Sequence, residues 1–304
     1  MNWLAIGRAT PSTRRQQNDG LRGFVTAAVR HQRADGAAIL SIDCDSNGVS
    51  RLRDLYQRAP CRMLFPDVEP GEPLQAVLLT TTGGLTGGDR TSVEFNVGAN
   101  AHATLTTQAA EKLYRALPGT PPVECAVSLT AAANSWCEWL AQETILFNGA
   151  CLRRSFCADL EAGSRMLAVE SIVFGRQAMG EDFRAGWLHD SWRIRRAGRL
   201  VWADAMRLEG DIAGLRQAPF GFGAAVACAT MVYAAPDAGE LLEPVRALLA
   251  QADESGVTVL DGLLIMRLLD SDAARLRSQI VRVAGLIRHT AAGVSCALPR
   301  VWHC

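Results

Sequence analysis

From about residue 35 the chain alternates apolar and polar positions in short runs: Ala38-Ile39-Leu40-Ser41-Ile42, Val77-Leu78-Leu79, Ser92 to Val97 and Ala103 to Thr106. Gly, Pro, Asn or Asp stand between them, and period-two runs bounded by turn residues predict β-strands. Between Val93 and Leu167 a unit recurs: strand, small-residue turn, returning strand. The turns are Gly98-Ala99-Asn100, Ala132-Ala133-Asn134 and Glu161-Ala162-Gly163. Their spacing, on the order of 30 residues, suits stacked or wound β architectures. Unrelated hairpins in a sandwich give the same pattern.

The period changes to helical in the C-terminal third. Glu240 to Asp253 places Leu241, Leu242, Val245, Leu248 and Leu249 on one face, and Ser271 to His289 does so with Leu276, Ile280, Val283, Ala284 and Ile287. Val257 to Leu260 and Leu263 to Met266 between them predict buried strands. The fold class expected is mainly β: many short strands in stacked or helically wound layers, with two helices in the C-terminal third. Residues 1–22 are polar and predicted flexible, leaving 23–304 as one domain without a linker.

Composition narrows the function. Of 304 residues, 49% are hydrophobic and 20% charged, enough apolar surface to fold a core. Thirty-one basic and thirty-one acidic side chains balance, which argues against a nucleic-acid partner. Lys112 is the only lysine, so the basic chemistry is arginine chemistry. The uncharged run from Ala218 to Pro236 is broken by Gly221 and Gly223 and predicts a loop and a buried strand rather than a membrane span. No basic segment followed by an apolar one opens the sequence, and nine scattered cysteines are no disulfide framework; the expected location is cytoplasmic.

Familiar catalytic motifs are missing from the sequence. Thr80 to Asp89 contains Gly83, Gly84, Gly87 and Gly88, yet Asp89 stands where a phosphate-binding loop needs its lysine, and a strand follows instead of a helix. The glycines then make a tight turn that presents Asp89. Cysteine spacings do not fit a zinc knuckle; His303 with Cys304 is a weak soft-metal pair. What remains are carboxylates inside apolar strands: Glu138, Glu143, Glu170 and Asp204. Such groups need a cation, an arginine such as Arg176, or water.

Several segments together resemble the UreD family of urease accessory proteins, called UreH in some organisms. They are Arg62 to Pro66, Gly83 to Asp89, Thr106 to Arg115, Glu138 to Ile145 with Glu143, Gly175-Arg176 followed by Gly180-Glu181, and Leu298 to Trp302. The resemblance implies a β-rich scaffold, not an enzyme, that binds UreF and through it the GTPase UreG, and docks on apo-urease so that nickel reaches the active site. UreE commonly supplies the ion. It implies no permanently bound cofactor, only transient Ni²⁺ in a hydrated passage, a role that maps onto Asp89, Glu170 and Asp204. Glu111, where the family can carry a small hydroxyl, is a fourth candidate. Two alternatives come from other classes: a hydrolase using Asp89 and Glu170 as paired carboxylates, and a β-solenoid module binding an unrelated protein.

Overall fold

The computed structural model describes residues 32–252 and 254–303. The predicted flexible segment 1–22 lies outside them, as do Asp253 and Cys304. Residues from Arg33 onward cluster as one compact unit.

The alternating runs become strands of two sheets. The chain opens with β1 (Asp35–Cys44), β2 (Ser50–Arg58), β3 (Cys61–Leu64) and β4 (Leu74–Thr80). The winding region follows: β5 (Arg90–Val97), β6 (His102–Thr107), β7 (Glu111–Leu113), β8 (Val123–Ala131), β9 (Trp136–Leu140), β10 (Thr144–Leu146), β11 (Cys151–Leu160) and β12 (Arg165–Arg176). Next come β13 (Glu181–Asp182), β14 (Ala185–Arg196), β15 (Arg199–Asp211), α1 (Ile212–Gln217) and β16 (Ala227–Ala234). The end consists of α2 (Leu242–Leu249), β17 (Ser255–Leu260), β18 (Leu263–Asp270) and α3 (Ala273–Ala292).

One sheet has seven strands in the order β15-β14-β11-β8-β5-β1-β2; the other has eleven, with the main path β17-β18-β16-β12-β9-β6-β4-β3. The repeating units are therefore not hairpins. β5 pairs in parallel with β8 in the first sheet, while β6, directly after it in sequence, pairs in parallel with β9 in the second. β8 to β9 and β11 to β12 repeat the step, so each turn of the chain adds one strand to each sheet. The connecting turns stack: Asn100 N–H donates to the Ala133 carbonyl at 3.0 Å, and Arg165 N–H donates to that of Ser135 at 2.9 Å. Asn100 and Asn134 take positive φ of 59° and 57°, which their short polar side chains tolerate, and Gly163 fills the third copy. Wound β layers are what the recurrence specifies.

Three apolar clusters hold this together. Leu40, Phe95, Leu129 and Phe156 of the seven-stranded sheet meet Leu105, Trp139, Ala168 and Val232 of the other. A second cluster lies between the same two sheets, around Val123, Leu152, Phe174 and Leu188. The third is on the outer face of the larger sheet, where Val245 and Leu249 of α2 and Leu276, Ile280, Val283 and Ile287 of α3 pack on Leu167, Met231 and Leu264. Both predicted helices bury their predicted faces. The first is shorter than its periodicity, because the chain enters through a 3-10 turn at Ala238–Leu241 and turns again beyond Leu249 to reach β17. α3 starts after Asp272, whose carboxylate accepts from the N–H groups of Ala274 and Arg275. Neither β2 nor α1 was legible beforehand: β2 exposes nearly every side chain, and α1 has only six residues. The Ala218–Pro236 run is a loop followed by the fully buried β16, and among the described residues no helix is long and apolar enough to cross a membrane.

Candidate functional site

On five strands the two inter-sheet clusters are interrupted at the same level by one polar or thiol-bearing residue. β11 runs Leu152, Arg154, Phe156; β12 runs Ala168, Glu170, Ile172; β14 runs Leu188, Asp190, Trp192. β8 supplies Cys125 between Val123 and Val127, and β16 supplies Thr230 between Cys228 and Val232. Register places them side by side: Cys125 opposite Arg154, Arg154 opposite Asp190, and across the gap Glu170 opposite Thr230, which lies opposite Arg267 of β18. The result is one polar rung through an otherwise apolar interior.

Arg154 is its centre. Nε and Nη2 donate to the two oxygens of Asp190 at 3.0 and 2.7 Å, a bidentate pair, and Nη1 donates to Glu170 Oε2 at 2.6 Å and to Thr144 Oγ1 at 3.2 Å. The Trp139 indole N–H donates to Glu170 Oε1 at 2.8 Å. Burial pushes the Glu170 pKa up, the Arg154 charge pulls it back, and Asp190 pushes it up again; the net direction is upward. Burial alone would lower the Arg154 pKa, but Asp190 and Glu170 raise it overall, so the guanidinium stays charged.

A cavity of about 260 Å³ opens onto this rung. Glu170, Arg154, Trp139 and Cys125 line its inner part; Glu111, Gln108 and Gly83-Gly84 line it toward the surface. Glu111 accepts from the Thr80 hydroxyl at 2.9 Å, and burial raises its pKa. The Cys125 thiol is pushed up to about 12 and that of Cys61, also on the wall, to about 11, both mainly by burial. These thiols stay protonated at neutral pH.

Of the four candidate passage residues, Glu111 and Glu170 share this cavity. Asp204 stands apart on β15, half-buried and ion-paired to Arg267, whose other nitrogen reaches Thr230 on the rung. Asp89 does not line the cavity. Its carboxylate accepts from the Thr86 N–H at 2.8 Å and the Ala34 N–H at 2.9 Å, which fixes the turn before β5. Asp89 and Glu170 thus engage separate donor sets.

Arginine neutralises each of the four carboxylates singled out from the sequence, although Glu143 lies in the loop between β9 and β10 rather than in a strand. Glu170 has Arg154, Glu138 has Arg288, Glu143 has Arg277 and Asp204 has Arg267. Arg176, the partner considered from sequence, instead pairs with Glu181. Arg154, Asp190 and Arg288 were missed; the polar residue between apolar neighbours at i±2 in Leu152 to Phe156 and Leu188 to Trp192 was the available signal. Among the described residues no group of three or more His, Cys, Asp or Glu is placed to hold a metal ion. His303 ends the last 3-10 turn, exposed, and its proposed partner Cys304 is outside the described residues.

The sequence motifs converge around the cavity. The Gln142 amide donates to the carbonyls of Thr107, Gln108 and Val301 at 2.9–3.0 Å, and Arg277 reaches Glu143, Gln142 and the Trp302 carbonyl. The glycine turn packs on Lys112–Tyr114: the Leu85 N–H donates to the Lys112 carbonyl, the Leu85 carbonyl accepts from the Tyr114 N–H, and the Tyr114 hydroxyl donates to the Gly83 carbonyl. Gly84 has φ of +143°, and a Cβ there would lie 2.6 Å from the Tyr114 ring. Gly87 and Gly88 lie against Pro121 and Arg33.

Fold and site together define a wound, two-sheet β protein with a small α/β end and an interior cavity floored by paired charges. A family described as "UreD urease accessory protein" matches residues 34–303. The urease accessory protein UreD of Magnetococcus marinus is 41% identical over 262 residues, covering 84% of this chain and 90% of its own length. Those of a Methylobacterium species and of Rhizobium leguminosarum bv. viciae are 40% and 39% identical, covering 90% and 92% of this chain and 96% and 98% of their own. The chain belongs to the UreD family of urease accessory proteins.

Proposed function

We propose that the protein is a cytoplasmic, non-catalytic scaffold that acts with UreF and UreG on apo-urease and helps deliver nickel, supplied through UreE, to the urease active site. In this reading the cavity and the polar rung are part of the ion's interior route. The observation that carries it is the placement of two carboxylates, Glu111 and Glu170, on one cavity that reaches from the Gly83-Gly84 turn to the rung. Oxygen donors suit a hard or borderline divalent ion that must be held briefly and released, and Arg154 competes for Glu170, which keeps any such hold weak. Asp89 serves by fixing the turn at the cavity rim, and Asp204 stands at the far side of the rung.

Two measurements test the reading at two depths. Urease subunits expressed with the other accessory proteins should be active with this chain and nearly inactive without it; equal activity would end the accessory reading. For the route, Ala110→Trp fills the cavity from its wall without removing a charge. Nickel per urease active site should fall while partner binding persists, and full loading would remove the cavity from the route.

A further inference from the structure

We propose that Arg154 gates the floor of the cavity: its guanidinium closes Glu170 and yields that carboxylate to an arriving divalent cation while staying anchored on Asp190, a role that rests on the interior route read above. The two carboxylates hold Arg154 unequally. The fork of Nε and Nη2 takes both oxygens of Asp190 on the neighbouring strand β14, at 3.0 and 2.7 Å, whereas only Nη1 crosses to β12, reaching Glu170 at 2.6 Å. Glu170 and Arg154 line the cavity and Asp190 does not. The anchor therefore lies behind the floor, and the one bond that must open lies on it.

Opening that bond strands no buried group. Nη1 already donates to the Thr144 hydroxyl at 3.2 Å, and the bidentate pair with Asp190 keeps the guanidinium neutralised. Glu170 keeps the Trp139 indole N–H on its other oxygen at 2.8 Å, so its orientation survives the exchange of one cation for another. One guanidinium against two ionised carboxylates leaves the rung with one uncompensated negative charge, which draws a cation to the floor. Arg288 is built otherwise: it gives one nitrogen to Glu138 and one to Glu72, and has no fork to stay on. Without Arg154, Glu170 and Asp190 would share a seat that a dication fills in its place.

Nickel alone is the probe, titrated by calorimetry into the isolated full chain at neutral pH. Arg154→Met should bind it about tenfold more tightly than wild type or better, and its lowered urea midpoint should recover toward the wild-type value when nickel is added. Wild type should show no such recovery, and adding Glu170→Gln to the variant should abolish both gains. Thr144→Val removes the acceptor that receives the released Nη1 and should shift affinity the other way, severalfold weaker. An arginine that only braces the fold would lower stability without rescue by nickel, and unchanged affinity in Arg154→Met would overturn the gate. Should Arg154→Met not fold, Thr144→Val decides, and unchanged affinity there overturns the gate as well. Full nickel loading of urease with the cavity filled by Ala110→Trp would overturn the route and the gate together; reduced loading there with unmoved nickel affinities would overturn the gate alone.

Discussion

Two buried sites in this protein use one chemical arrangement for different ends. Between the sheets, Glu170 takes a Trp139 indole N–H on one oxygen and Arg154 on the other, and Arg154 is shared with Asp190. On the outer face of the larger sheet, Glu138 takes the Trp136 indole N–H at 2.9 Å on one oxygen and Arg288 on the other, and Arg288 is shared with Glu72 at 2.5 Å. The first joins four strands of two sheets, β9, β11, β12 and β14, and faces the cavity. The second clamps α3 to the sheet and, through the Ser295 N–H on Glu72, holds the segment after α3. The same pairing thus recurs in two settings that differ in the elements joined and in the pocket each one lines.

The largest expected effect separates the two sites by burial. Arg154→Ala leaves two carboxylates buried without their cation and should cost about 3–5 kcal/mol in urea unfolding. Arg288→Ala should cost less, because the fully buried Glu138 keeps two other donors, the Thr104 hydroxyl and the Trp136 indole, and Glu72 keeps 19% of its side chain in water against 7% for Asp190. Equal losses would break the comparison.

Replacing each whole site by apolar residues tests role rather than strength. Arg154→Met/Glu170→Leu/Asp190→Leu should stay within about 2 kcal/mol of wild type, since well-packed apolar groups commonly match a buried ion-pair triad. Nickel loading of urease should nevertheless fall. The matching Arg288→Met/Glu138→Leu/Glu72→Leu variant should keep both stability and loading. Normal loading by the first variant would make the rung purely structural.

A smaller effect is expected from pH at Glu111, which has no arginine in its hydrogen-bonding set. Its native pKa lies above the ordinary value of 4.5 through burial, so between those values the native state keeps a proton that the unfolded chain releases. Stability of the wild type should then fall, relative to Glu111→Gln, as pH rises from 4.5 through that window and level off above it. Parallel urea midpoints for the two proteins across pH 4.5 to about 8 would show that the carboxyl is hydrated rather than buried.

The smallest effect is a rate at single thiols. Cys125 on the rung should alkylate far more slowly with iodoacetamide at neutral pH than the exposed Cys296, because its thiol is pushed up to about 12. Comparable rates, read by peptide mass spectrometry, would mean that the cavity opens freely to solvent.

Much of this protein was determined locally. Alternation made the strands, helical periodicity made α2 and α3, and small residues able to take positive φ at Asn100, Asn134 and Gly163 made stackable turns, because each depends on neighbours within a few residues. The glycine turn with Asp89 and the motif segments were legible for the same reason, and they marked the family. Pairing was not. That Glu170 meets Arg154 rather than Arg176, that Glu138 meets Arg288, 150 residues away, and that Asp89 serves a turn while Glu111 faces a cavity, all depend on how strands register across two sheets. Register is set by the packing of whole layers, and a charge in an apolar strand announces only that a partner is needed. Which residue supplies it is decided when the winding brings distant strands to the same level.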